Sequence, residues 1–202
     1  MTYSALLFDL FDTLVLFNRE RLPELEINGK TVHSTAGQLY PFIQPYAPGV
    51  SLEQFYEAIL WSWQEAEKIR CADHREVSAP ERFGFLFRHL GLGPSAVPTD
   101  AFQNLLSSHK RSLAMAAVFP DGHRTLLQQL SGRYRFGLVS NFDYTPTAHF
   151  ILEREGVAHL FETVGVSDEV GWRKPKPIIF ETAFARMGIG PRETLFVGDF
   201  GG

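Results

Sequence analysis

One cysteine, Cys71, is all that the 202-residue chain contains. An intramolecular disulfide framework is therefore excluded, and the composition fits a reducing cytosol. No candidate base stands out beside Cys71, so it reads as an inert packed or half-exposed thiol. No apolar run approaches membrane-spanning length. The apolar N-terminus is interrupted by Asp9 and Asp12 and has no basic segment before it, which argues against a signal peptide. No basic stripe is present and the net charge is −4, which argues against a nucleic-acid footprint. Internal repeats and low-complexity tracts are also missing. What remains is a chain that reads as soluble and cytoplasmic. Its residues are 45% hydrophobic, enough to bury one good core and a smaller accessory domain.

Three apolar runs end in reactive groups. Ala5-Leu6-Leu7-Phe8 ends in Asp9, Phe136-Gly137-Leu138-Val139 leads into Ser140-Asn141, and Leu195-Phe196-Val197-Gly198 leads into Asp199. Each reads as a buried parallel strand with its functional group at the carboxyl end, where open α/β sheets place their chemistry. A lysine, Lys174, stands in Arg173-Lys174-Pro175-Lys176-Pro177 just before a predicted helix. Taken singly, Asp9 could be a turn aspartate, Ser140 a helix cap and Lys174 a solvated charge. As an ordered set of aspartate, hydroxyl, lysine and aspartate they suit a phosphoryl-type site, if the strand ends meet.

Between the first two motifs the pattern changes. Leu25-Glu26-Ile27 and Lys30-Thr31-Val32 flank Asn28-Gly29, a two-residue hairpin signal, although an incidental surface hairpin would look the same. Ser51 and Gln54 form a capping box before Phe55, Ile59, Trp63 and Ala66 at helical spacing. Ser78 caps a predicted helix through Phe83, Leu86, Phe87 and Leu90 that stops at Gly91, and Thr99 or Asp100 starts another. The aromatics Trp61, Trp63, Phe83, Phe85 and Phe87 read as bundle core. After Phe119, helices near 122–130, 146–155 and 177–187 alternate with apolar strands, which implies a parallel sheet. The predicted architecture is α/β: a doubly wound, Rossmann-like parallel sheet with an inserted helical cap. Residues 1–15 and 116–202 form the core, and 16–115 the hairpin and cap.

The four motifs in this order resemble the haloacid dehalogenase-like (HAD) superfamily, from Leu7 to Asp199, most specifically in Lys174 to Phe180 and Val197 to Asp199. The resemblance implies a cap of the first class, with the hairpin as its flap. It implies a Mg²⁺-dependent hydrolase of a small phosphate ester, in which Asp9 forms an aspartyl-phosphate. Ser140 and Lys174 would bind and offset phosphoryl charge, Asn141 would be a further donor to substrate, and Asp9, Asp199 and the Phe11 carbonyl would hold the metal. It also implies a second carboxylate, a helix and a strand beyond Gly202, so that the chain is expected to be truncated after the fourth motif.

The departure inside the first motif is Phe11, where phosphatases of this superfamily usually carry an aspartate as general acid. Its absence costs a typical factor of about 10²–10⁴ and least for good leaving groups such as acyl phosphates. Asp12 is one place too late and is expected to be structural, bonding flap backbone amides. Haloacid dehalogenases also carry an aromatic here, which makes dehalogenation through Asp9 the runner-up. Against it, no arginine lies between Arg21 and Arg70 to take a halide, and Gly198-Asp199 is retained. A catalytically silent binding domain is the third reading.

Overall fold

The computed structural model describes residues 3–93 and 95–199; Gly202 lies outside the described residues. Along the chain come β1 (Ala5–Phe8), β2 (Leu16–Phe17), the hairpin of β3 (Glu24–Ile27) and β4 (Lys30–His33), then the helices α1 (Ala36–Leu39), α2 (Leu52–Asp73), α3 (Ala79–His89) and α4 (Thr99–Ala116). They are followed by β5 (Ala117–Val118), α5 (Asp121–Ser131), β6 (Arg135–Ser140), α6 (Thr145–Arg154), β7 (Phe161–Val166), α7 (Ser167–Val170), α8 (Pro177–Met187) and β8 (Thr194–Val197). The chain divides into two compact units. The first contains Met1–Phe17, His74–Glu76 and Ala117–Gly202, the second Asn18–Asp73 and Val77–Ala116.

The first unit is built on a four-stranded sheet in the order β7-β6-β1-β8, with every pairing parallel. Strand β1 sits inside the sheet and all four of its residues are buried, as a near-continuous apolar run requires. Its side chains alternate between faces. Ala5 and Leu7 pack with Val139 of β6 and with Ile179, Ala183 and Met187 of α8. Each large side chain so buried contributes about 1.5–3 kcal/mol. Phe8 meets Phe136 edge to face, with ring centroids 5.3 Å apart. Gly137 is required by this packing, because a Cβ there would fall on Leu7 and lie 2.8 Å from Met187 Sδ.

The boundaries of the first unit differ from a 16–115 insertion for identifiable reasons. Leu16 and Phe17 remain with it because β2 pairs antiparallel with β5. Residues 74–76 return to it because they hydrogen-bond to residues 171–173.

In the second unit the Asn28-Gly29 turn has both residues at positive φ, 50° and 71°, the geometry that matches strand twist in a two-residue hairpin. The capping box at α2 is closed both ways, with Gln54 N–H donating to Ser51 Oγ at 3.2 Å and Ser51 N–H to Gln54 Oε1 at 2.8 Å. Ser78 Oγ accepts the Glu81 N–H at the start of α3.

The aromatic stripe needs correction. Phe83 is fully buried, but Trp63 is 46% exposed, and Trp61, Phe85 and Phe87 are only partly covered. The buried face of α2 runs through Phe55, Ala58, Ile59, Ser62, Ala66 and Arg70. Ser62 takes the inward place beside Trp63 because its hydroxyl can donate to Ile59 O at 2.7 Å. Trp63 instead lies against the Arg70 guanidinium, 5.4 Å from its ring centroid, and Trp61 stacks on His89. Cys71 is exposed. Among the described residues no helix is long and apolar enough to cross a membrane.

Candidate active site

Parallel strands bring their carboxyl ends to one edge, and three motif residues gather there. Phe8 pairs with Leu138 on one side and with Val197 on the other. Asp9 therefore follows β1 by one residue, while Ser140 and Asp199 each lie two residues past the partners of Phe8. The Asp9 N–H continues the ladder to Val197 O at 2.9 Å. Gly198 lies beside Asp9: a Cβ there would approach Asp9 Cβ to 3.4 Å and clash with the Phe196 ring at 2.7 Å.

The two Asp9 carboxylate oxygens have separate partners. Oδ1 accepts the Leu10 N–H at 2.7 Å, and Oδ2 lies 2.5 Å from Lys174 Nζ. Both side chains are largely covered, 12% and 13% exposed. Burial pushes the Lys174 ammonium below the ordinary lysine value; Asp9 and then Asp199 act against that shift, and Arg173 adds to it. Lys174 Nζ also sits 5.2 Å from the centroid of the Phe196 ring.

Ser140 closes β6 and is 1% exposed, yet among the described residues its hydroxyl has no hydrogen-bond partner. A buried hydroxyl left in that state is unfavourable; those of Thr145, Thr147 and Thr163 share it, and what sets Ser140 apart is its place at the carboxyl end of β6. It offers a donor where an external oxygen would satisfy it.

The Asn141 amide grips the backbone of Lys174 from both sides: Lys174 N–H donates to Oδ1 at 2.7 Å, and Nδ2 donates to Lys174 O at 3.2 Å. The end of β6 thereby sets where the lysine starts.

Phe11 stacks on Phe142, with centroids 4.5 Å apart, and meets Phe17 edge-on. Asp12 turns the loop at φ 56°. Its N–H donates to Val15 O, and its carboxylate accepts the Phe17 N–H at 3.2 Å, so it organises the backbone of this loop.

Asp199 is exposed, and its N–H donates to Thr13 Oγ at 3.1 Å, a contact across 186 residues. In the sequence Thr13 has no distinguishing mark beyond its proximity to Asp9. Among the described residues no three His, Cys, Asp or Glu side chains form a metal-binding group. The donors that the resemblance implies are the carboxylates of Asp9 and Asp199 and the carbonyl of Phe11. Such an oxygen-only set fits a hard dication that retains several waters.

Residues 3–201 match the haloacid dehalogenase-like hydrolase family. A glyceraldehyde 3-phosphate phosphatase of Methanopyrus kandleri is 29% identical over 150 residues, which cover 74% of this chain and 59% of the relative. The chain thus spans little more than half of that relative's length. A 2-haloacid dehalogenase from Pseudomonas syringae pv. Tomato superposes with a TM-score of 0.61 at 20% identity, over 98% of this chain and 78% of that one. The HAD-hydrolase YfnB from Bacillus subtilis, in a form bound to magnesium, gives 0.54 at 20%, over 98% and 81%. At these identities the two structures speak to fold alone. With the motif residues at the ends of a parallel sheet and a family match over nearly its whole length, the chain belongs to the haloacid dehalogenase-like hydrolases.

Proposed function

We propose that the chain carries a Mg²⁺-dependent phosphatase site for a small phosphorylated metabolite, with Asp9 as nucleophile. The observation behind this reading is the Asp9–Lys174 pair at the sheet edge where β6 ends in Ser140, whose hydroxyl has no partner among the described residues. An Asp9 oxygen attacks phosphorus, the bond from phosphorus to the leaving oxygen breaks, and an aspartyl-phosphate forms. Water then adds at phosphorus and releases inorganic phosphate and the free carboxylate. Lys174 offsets the charge of Asp9 and of the phosphoryl oxygens, and Ser140 Oγ–H donates to one of them. Asn141 holds Lys174 in place. Asp9, Asp199 and the Phe11 carbonyl would hold Mg²⁺, whose charge would reduce the repulsion between carboxylate and phosphate. Phe11 has no proton to give, so the leaving group departs with a proton from water. Substrates with good leaving groups, acyl phosphates above all, lose least by this.

The name of the Methanopyrus kandleri relative supports a phosphate ester over a haloacid. The stacked Phe11 favours the runner-up, in which Asp9 displaces halide from a 2-haloacid. The test measures phosphate release from acetyl phosphate and para-nitrophenyl phosphate, with Mg²⁺ and with a chelator, beside chloride release from 2-chloropropionate. Phosphate release that needs Mg²⁺ and disappears in Asp9→Asn is the expected result. Chloride release without phosphate release overturns the proposal.

A further inference from the structure

We infer that Glu76 is a positioning residue for the lysine of this site, linking the segment after Ser140 to the residue before Lys174. The inference rests on the phosphatase reading in taking Lys174 as the group that acts on phosphate.

Glu76 lies between α2 and α3, 97 residues ahead of Arg173. Its segment runs antiparallel to residues 171–173. Arg75 bridges Trp172, Arg173 N–H donates to His74 O at 2.8 Å, and Glu76 N–H donates to Gly171 O at 2.9 Å. The Glu76 side chain is 1% exposed, and a carboxylate so buried needs donors around it. Arg173 Nη1 lies 2.7 Å from its Oε2, and the Ser167 hydroxyl donates to the same oxygen. Ser167 Oγ in turn accepts the Phe142 N–H at 2.9 Å. Phe142 follows Asn141, which grips the Lys174 backbone, and Arg173 precedes Lys174. One carboxylate therefore fixes both segments that hold the ammonium against Asp9. For stability alone a well-packed apolar residue would serve as well as this buried pair. The ends of its bonds, on either side of the lysine's support, point to positioning.

The test uses Glu76→Gln, Arg173→Gln and the double variant. Turnover of para-nitrophenyl phosphate with Mg²⁺ is followed beside thermal unfolding and amide hydrogen exchange over residues 171–174. Displacing a reacting group by about 1 Å costs on the order of 10²-fold in rate. Glu76→Gln is therefore expected to lower kcat by about 10²-fold with KM little changed, in a chain that still unfolds cooperatively. Arg173→Gln, at a partly exposed side chain, is expected to lose kcat in the same way, and it decides the matter if Glu76→Gln does not fold. The double variant is expected to lose no more than the larger single loss, and exchange over 171–174 is expected to rise in all three. Unchanged kcat in a folded variant, or losses that multiply in the double variant, overturn the positioning role. If the unsubstituted chain releases no phosphate, the phosphatase reading is what fails. Exchange in Glu76→Gln then decides the positioning role by itself, a rise sustaining it and no change overturning it.

Discussion

Asp9→Asn separates chemistry from structure at a single atom pair. The amide keeps Oδ1 as acceptor for the Leu10 N–H, while the group opposite Lys174 Nζ changes from an acceptor at 2.5 Å to an N–H donor. Turnover is expected to fall by about 10⁶-fold, the order seen when a nucleophile is removed from a working site. Stability is expected to fall as well, because a covered ammonium loses its partner. Breaking a buried pair costs about 3–5 kcal/mol. The lysine has an escape in losing its proton: from an ordinary pKa of 10.5 that costs about 5 kcal/mol at pH 7 and about 2 kcal/mol at pH 9, at about 1.36 kcal/mol per pH unit.

The penalty for stranding the charge is thus about 3–5 kcal/mol at pH 7 and no more than about 2 kcal/mol at pH 9. The sign follows from proton counting. A lysine held below its unfolded pKa binds fewer protons folded than unfolded, so stability rises with pH between the two values, more steeply in the variant than in the parent. Urea denaturation of both chains at pH 7 and pH 9, with phosphate release measured in parallel, gives both quantities. Equal stability at pH 7, or a difference that does not narrow by pH 9, would refute the claim that Asp9 holds the charge of Lys174. Retained turnover in a pure preparation would refute covalent catalysis by Asp9.

Ser140→Ala is expected to be stability-neutral or slightly stabilising, since it removes a buried hydroxyl with no partner among the described residues, and to lower turnover by about 10²–10³-fold. A clear loss of stability by thermal unfolding would show that the hydroxyl already has a structural partner. Phe11→Asp is expected to raise turnover of ordinary phosphomonoesters by up to about 10²–10⁴-fold, and to cost about 0.5–1.5 kcal/mol from the lost stacking on Phe142. No gain in a well-folded variant would move the chemistry away from phosphate esters. Gly137→Ala is expected to destabilise the chain by about 1–3 kcal/mol, because its methyl would overlap Leu7 and Met187. An unchanged denaturation midpoint would contradict the packing of β1 and β6 against α8.

Much of this molecule is written locally. The runs at 5–8, 136–139 and 195–197 are apolar enough to be strands; the first two are buried, but β8 is an edge strand whose Leu195 and Phe196 are exposed. Ser51 with Gln54, Ser78, and Asn28-Gly29 carry their geometry within a few residues. The ends of those runs announced Asp9, Ser140 and Asp199 as one edge, because parallel strands share a direction. Three-dimensional packing decided the rest. Trp63 lies at the border of the α2 stripe, about 40° beyond Ile59 around the helix. Which neighbour turned inward depended on the surrounding helices, and Ser62 did. The contacts of Asn141 with Lys174, of Thr13 with Asp199 and of Glu76 with Arg173 join residues far apart in the chain. Spacing and propensity carry no trace of such pairings. They arise only when the folded backbone sets a buried polar group beside the donor or acceptor that can satisfy it.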